Sequence, residues 1–173
     1  AYDYLARPVR VVPQTAAALP EVSSDGRTIT LRLQPGIYFA DDPAFRGRRR
    51  ELVAQDYVYA IKRFYDPQYN SSDLYLFEAV KLLGLAAVRE RATRTRRPFD
   101  YDTEVEGLRA LDRYTLRLVL GEPNPRFVYL LADPGITGAV AREVVEYYGA
   151  DIGAHPVGTG AFRLKSWRRA SRI

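Results

Sequence analysis

The sequence predicts an α+β fold, a small mixed sheet with helices that do not follow a regular βαβ repeat. Three observations carry this. Thr28-Ile29-Thr30-Leu31-Arg32-Leu33-Gln34 alternates apolar and polar residues, as a half-buried strand does. Ala54 to Tyr65 places Tyr57, Ala60, Ile61 and Phe64 at i, i+3, i+4 and i+7, the spacing of one helix face. Glu104 to Leu111 and Tyr114 to Leu120 flank Asp112-Arg113 as the two arms of a hairpin, with Leu116, Leu118 and Leu120 on one face.

In chain order, Pro8, Pro13 and Pro20 punctuate an irregular start, with a short extended piece at Val9, Val11 and Val12. Ser24-Asp25-Gly26-Arg27 is a turn, and Pro35-Gly36 closes the strand that follows. Asp41-Asp42-Pro43 and the run to Arg50 form a loop. Asp56 in the first turn of the Ala54 helix complements its dipole, and Asp66-Pro67 stops it. Asp73 is placed to cap a helix through about Leu83, Gly84 breaks it, and Leu85 to Thr93 is helical. Asn124-Pro125 opens a short helix that Asp133-Pro134-Gly135 ends. Ala141 to Tyr148 is helical, with Gly149 as its C-terminal cap. His155-Pro156-Val157-Gly158-Thr159-Gly160 is a tight turn whose glycines permit positive φ or close backbone approach. From Phe162, alternation through Leu164 predicts a strand to Trp167.

Composition excludes much chemistry. The chain has 173 residues, no Cys and one His, so no disulfide, thiolate site or His-based metal cluster is available. No catalytic constellation surrounds His155, and Gly158-Thr159-Gly160 precedes a strand, which argues against a phosphate cradle. Asp100, Asp102, Glu104 and Glu106 alternate as calcium ligands do, but without the glycine and closing glutamate of a calcium loop; a solvated strand edge is the expectation. No catalytic residue, cofactor or metal is implied. The net charge is +5, with arginines bunched at Arg46 to Arg50, Arg89 to Arg97 and Arg163 to Arg172. Because Arg stands for Lys nearly throughout, these are read as solvated faces, not a nucleic-acid footprint. The 13 tyrosines suit a ligand cleft. Tyr57 and Tyr65 are assigned to the core; Tyr69 and Tyr75, on or beside a loop, are the cleft candidates.

Several stretches together resemble the bacterial extracellular solute-binding proteins of family 5. Val22-Ser23-Ser24-Asp25-Gly26-Arg27-Thr28 and Leu31 to Phe39 are similar to that family's "S.DG.TYTF.LR.GVKF". Ala54 to Arg63 resembles "TAEDVVYSIKR", and Ala110-Leu111-Asp112-Arg113-Tyr114-Thr115-Leu116 resembles "V.A.D.YTVRF.L". His155 to Phe162 resembles "PVGTGPF", with Trp167 and Ser171-Arg172-Ile173 following as in "W.RGSRI". Val53 replaces the usual capping Thr, Asp41-Asp42-Pro43 with its arginine loop replaces "HDG.P", and Ala161 replaces a Pro.

The resemblance implies part of a two-lobed, type II periplasmic-binding-protein fold. Residues 1–150 would form a small subdomain plus the edge of lobe one, 151–173 would return into lobe one, and the second lobe would lie outside this sequence. It implies a periplasmic substrate-binding component of an ABC importer. Such a protein is a monomer that takes a peptide or other small solute and docks a membrane permease, without nucleic acid. The alternative is the solute-sensing module of a cytoplasmic transcriptional regulator. Motif position carries ligand contacts onto Tyr69, Ser72 and Tyr75 and onto Asp133, Gly135 and Ile136. It makes Gly158, Thr159 and Gly160 a structural turn near the hinge.

Overall fold

The computed structural model describes residues 1–166. Strands β1 (Tyr2–Asp3) and β2 (Arg10–Val11) form a separate two-stranded ribbon. β3 (Glu21–Val22) turns through Ser23 to Arg27 into β4 (Thr28–Arg32), the strand anticipated from alternation. Ser23 Oγ accepts from the Thr28 amide at 2.8 Å, and Asp25 Oδ1 accepts from the Arg27 amide at 3.1 Å, which fixes the turn.

Helix α1 (Ala54–Tyr65) has the predicted bounds. Val53 supplies no side-chain acceptor, but Asp56 Oδ2 accepts from the Val53 amide at 2.8 Å, so one arm of the cap survives. Ala54, Val58, Tyr59, Ala60, Ile61 and Tyr65 are all buried, whereas Tyr57 and Phe64 are half-buried. The helix is thus enclosed on more than one face, because the sheet covers one side and the elements after it cover another. The helix expected from Asp73 to Leu83 is only α2 (Leu74–Glu78). Lys81 takes a left-handed φ of 50°, which ends helical hydrogen bonding, and Leu82 then bridges to Leu120. Gly84, at φ 88°, starts α3 (Leu85–Thr95).

β5 (Leu108–Ala110) and β6 (Thr115–Val119) make the hairpin, shorter than predicted. The strand-edge reading of Asp100 to Glu106 does not hold. Asp100 Oδ1 accepts from the amides of Asp102 and Thr103 at 3.0 and 3.1 Å, curling the segment into a loop. The sheet order is β3-β4-β6-β5, antiparallel at every pairing rather than mixed. Its outer pairs are hairpins, and among the described residues no βαβ crossover brings strands parallel. Register puts Ile29 opposite Leu118 and Leu118 opposite Leu108, all nearly solvent-free. This row, with Val58, Ile61 and Tyr65 of α1 and Phe77, Leu85 and Phe127, is the main core.

Helix α4 (Phe127–Leu131) follows Asn124, whose Oδ1 accepts from the Arg126 amide at 3.0 Å. Asp133-Pro134-Gly135, expected as a stop, also opens α5 (Pro134–Thr137): Asp133 Oδ1 accepts from the Gly135 amide at 2.9 Å. Helix α6 (Arg142–Tyr148) ends at Gly149 as predicted. It closes a second, smaller core made by Phe39, Phe45, Leu52, Ala141 and Val144. Phe45 enters that core from a 3₁₀ turn, Pro43–Phe45, inside the stretch expected to be plain loop.

Gly158 and Gly160 do not use positive φ. Close approach does not require them either, since a Cβ at Gly160 would meet nothing within 4 Å and one at Gly158 only the Gly160 nitrogen at 4.0 Å; the turn is held by the Ala40 amide, which donates to the Gly158 carbonyl at 2.9 Å. The strand expected from Phe162 is absent over residues 162–166, where Phe162 is 96% exposed and no ladder partner lies alongside. Alternation marks a two-faced segment, but a strand also needs a neighbour to pair with. Trp167 and Ser171-Arg172-Ile173 lie outside the described residues.

Candidate ligand cleft

Two segments distant in sequence meet beside the C-terminal half of α1. The first follows the Asp66-Pro67 stop. Pro67–Tyr69 is a 3₁₀ turn, and Asn70 adopts a left-handed φ of 42°. Asp66 is buried and holds this turn by both carboxylate oxygens: Oδ1 accepts from the Gln68 amide at 2.9 Å and Oδ2 from the Tyr101 hydroxyl at 2.7 Å. The second segment is α5 with the residues just after it. The Thr137 hydroxyl sits 3.0 Å from both the Leu131 and Asp133 carbonyls, which fastens α5 to the end of α4.

Between them lies a cleft of about 620 Å³, within the usual range for small-ligand sites. Tyr69, Asn70, Ser71 and Ser72 form one wall, Pro134, Gly135 and Ile136 the other, and Ala60, Arg63 and Phe64 of α1 the floor. Of the residues singled out from sequence, the cleft therefore brings together Tyr69, Ser72, Gly135 and Ile136. Tyr75 lies elsewhere: it is on α2, mostly exposed, and does not line the cleft. Its position in an amphipathic helix turns it outward while Leu74 and Phe77 enter the core. Asp133 stands behind the wall as the cap of α5.

Arg63 was not anticipated. Its guanidinium lies 4.6 Å from the centroid of the Tyr69 ring, a cation–π arrangement. The signal was present in the spacing, since Ala60, Arg63 and Phe64 fall at i, i+3 and i+4. Tyr59, one turn before Arg63, has its phenol pushed up to about 12 by burial, with Tyr69 adding to the rise and Arg63 opposing it. It therefore stays a neutral hydroxyl. Lys62 points the other way, donating to the Tyr101 and Thr103 carbonyls at 2.8 and 2.7 Å.

A second cavity of about 600 Å³ shares Pro134, Gly138 and Ala139 with the first. Thr159 and Gly160 line it, together with the N-terminal segment from Val11 to Pro20. Among the described residues no group of His, Asp and Glu is arranged to hold a metal ion. No helix of the described residues is long and apolar enough to cross a membrane.

This arrangement can enclose and orient a small polar solute; among the described residues no Asp, Glu or His lines the cleft. Comparison with known proteins agrees. Residues 10–173 match the model of the bacterial extracellular solute-binding proteins, family 5 Middle, a family of binding proteins and not of enzymes. The chain is 28% identical over 153 residues to the glutathione-binding protein GsiB of Salmonella typhi, covering 88% of this chain and 23% of that protein. GsiB of Escherichia coli O157:H7 gives the same identity over 152 residues. Among solved structures, the pheromone receptor PrgZ superposes with a TM-score of 0.70 at 25% identity, covering 95% of this chain and 29% of that one. The Escherichia coli murein tripeptide binding protein MppA superposes with a TM-score of 0.69 at 26% identity, covering 92% and 28%. The chain thus spans about a quarter of the length of these relatives. Its α+β architecture matches part of periplasmic peptide-binding protein structures. The chain belongs to the bacterial extracellular solute-binding proteins, family 5.

Proposed function

We propose that this chain is part of the substrate-binding component of an ABC importer, capturing a peptide-like or other small solute in the periplasm for transport. The observation that carries the proposal is the meeting of Tyr69 and Ser72 with Gly135 and Ile136 across one cleft. Relatives named for binding glutathione and murein tripeptide, and a pheromone receptor whose structure concerns peptide binding, support a peptide-like ligand.

In this reading residues 1–150 are the small subdomain with the edge of lobe one, and 151–173 re-enter lobe one. Gly158, Thr159 and Gly160 form the turn of this re-entry, which the bond from the Ala40 amide to the Gly158 carbonyl holds. A second lobe closes over the ligand, expels water and so strengthens each polar contact; the closed monomer then docks its permease.

The test is titration calorimetry of the full-length protein with short peptides, beside an Ile136→Trp variant that fills the cleft. Weakening of about tenfold or more in the variant, with unfolding unchanged, is expected. Unaltered affinity in Ile136→Trp would place the ligand elsewhere.

A further inference from the structure

Arg63 is the one formally charged side chain lining the cleft, and no Asp or Glu lines it among the described residues. The other arginines near by have protein partners. Arg50 holds Asp56 and Glu143, Arg89 donates to the Tyr65 carbonyl, and Arg142 holds Asp102 and Glu146. Arg63 makes no ion pair among the described residues, and its Nε is sealed from solvent without a hydrogen-bond acceptor. The two carboxylates at the cleft margins are already committed: Asp66 to Gln68 and Tyr101, and Asp133 to Gly135. An unpaired, partly enclosed guanidinium is costly unless something anionic completes it.

Geometry says how completion would occur. The guanidinium carbon stands 4.6 Å from the Tyr69 ring centroid, at the cleft wall, and a guanidinium carries a planar fork of N–H donors that matches a carboxylate bidentately. Neutral donors from Asn70 and Ser72 stand on the same wall.

We infer that Arg63, oriented by Tyr69, is the anchor for a carboxylate of the ligand, so that the cleft selects peptides carrying a free carboxylate at the matching position. This rests on the cleft reading above and adds the ligand's charge to it. The carboxylate has two possible sources, the peptide C-terminus or an acidic side chain.

The experiment uses the full-length protein and three probes: Ala-Ala-Ala, its C-terminal amide, and Ala-Glu-Ala amide. Arg63→Gln keeps most of the side-chain stem, and Arg63→Lys keeps the charge but loses the fork. The free acid or the Glu-containing amide should bind about 10- to 100-fold more tightly than Ala-Ala-Ala amide. Arg63→Gln should erase that difference, and Arg63→Lys should restore part of it. Loss confined to the free acid identifies the C-terminus as the source; loss confined to Ala-Glu-Ala amide identifies the side chain. Equal weakening of all probes in Arg63→Gln, or no carboxylate preference in the parent protein, overturns the assignment. Ile136→Trp separates the two readings. If it abolishes binding while Arg63→Gln leaves the carboxylate preference intact, only the role of Arg63 fails. If it leaves binding untouched, the cleft itself fails.

Discussion

Tyr101 Oη donates to Asp66 Oδ2 across 2.7 Å and thereby ties the loop after α3 to the residue that starts the cleft wall. Asp66 is buried, so its second oxygen has no water to fall back on. Tyr101→Phe should destabilise the protein by about 1–3 kcal/mol in urea unfolding. It should also speed hydrogen exchange at the Gln68 amide, which Asp66 holds at 2.9 Å. Unchanged exchange at Gln68, with stability intact, would show that Asp66 is held well enough by that amide alone.

Arg50 links the second core to α1. It grips Asp56 through two nitrogens at 2.6 and 3.1 Å and reaches Glu143 of α6 at 2.8 Å. Asp56 is 2% exposed, and burial pushes its carboxyl up although Arg50 and the Val53 amide pull it down. Arg50→Met leaves that carboxylate buried without a countercharge and should cost about 3–5 kcal/mol. The pair Arg50→Met with Asp56→Asn should cost less than the sum of the single changes. Additive losses in that double-mutant cycle would mean that the two groups do not couple.

Gly107 shows where the fold tolerates no side chain. A Cβ there would lie 2.1 Å from the Leu83 nitrogen and 2.6 Å from the Leu83 oxygen, both backbone atoms that cannot swing aside. The same residue donates to the Leu83 carbonyl at 2.8 Å and accepts from the Val119 amide at 3.0 Å. Gly107→Ala should therefore cost about 3 kcal/mol or more. Gly153→Ala, where a Cβ meets nothing within 4 Å, is the control and should be near neutral. Equal unfolding midpoints for the two variants would refute the clash.

What the sequence made legible follows the strength of its periodicity. β4, β6 and α1 were readable because burial on one face imposes a period of two or 3.6 over five or more residues. The second core was not, because Phe39, Phe45 and Leu52 lie too far apart to share one strand or helix face, and only tertiary contact with α6 reveals them as a group. Asp133-Pro134 carries both a stop and a start signal, and both operate, since Asp133 ends one turn and caps α5. Tyr69 is a cleft candidate from its place beside a loop as well as from motif resemblance, whereas Ser72, Gly135 and Ile136 rest on the resemblance alone. Tyr75 shows the limit of that transfer, since neighbourhood in sequence did not set which way its helix faced. Arg63 is not legible as a cleft residue because a charged residue on a helix is ordinarily solvated, and nothing in the sequence shows that Tyr69 packs against it.

Alkaline pH should expose the buried phenols. Burial raises Tyr57, Tyr59, Tyr65 and Tyr101 above the ordinary 10.0, and the bond to Asp66 further favours the neutral form of Tyr101. Above pH 10.0 the unfolded chain releases these protons while the native state keeps them, so the native state binds more protons and stability falls as pH rises. Lys62 acts in the opposite sense. Burial lowers it below 10.5, the native state binds fewer protons there, and its contribution improves as pH rises toward that value. Four phenols outweigh one ammonium, so the melting temperature should decline from about pH 10 upward. Tyr101→Phe should flatten that decline while lowering stability at neutral pH. A melting temperature that holds level or climbs between about pH 10 and 11.5 would show that these hydroxyls are not protected in the native state.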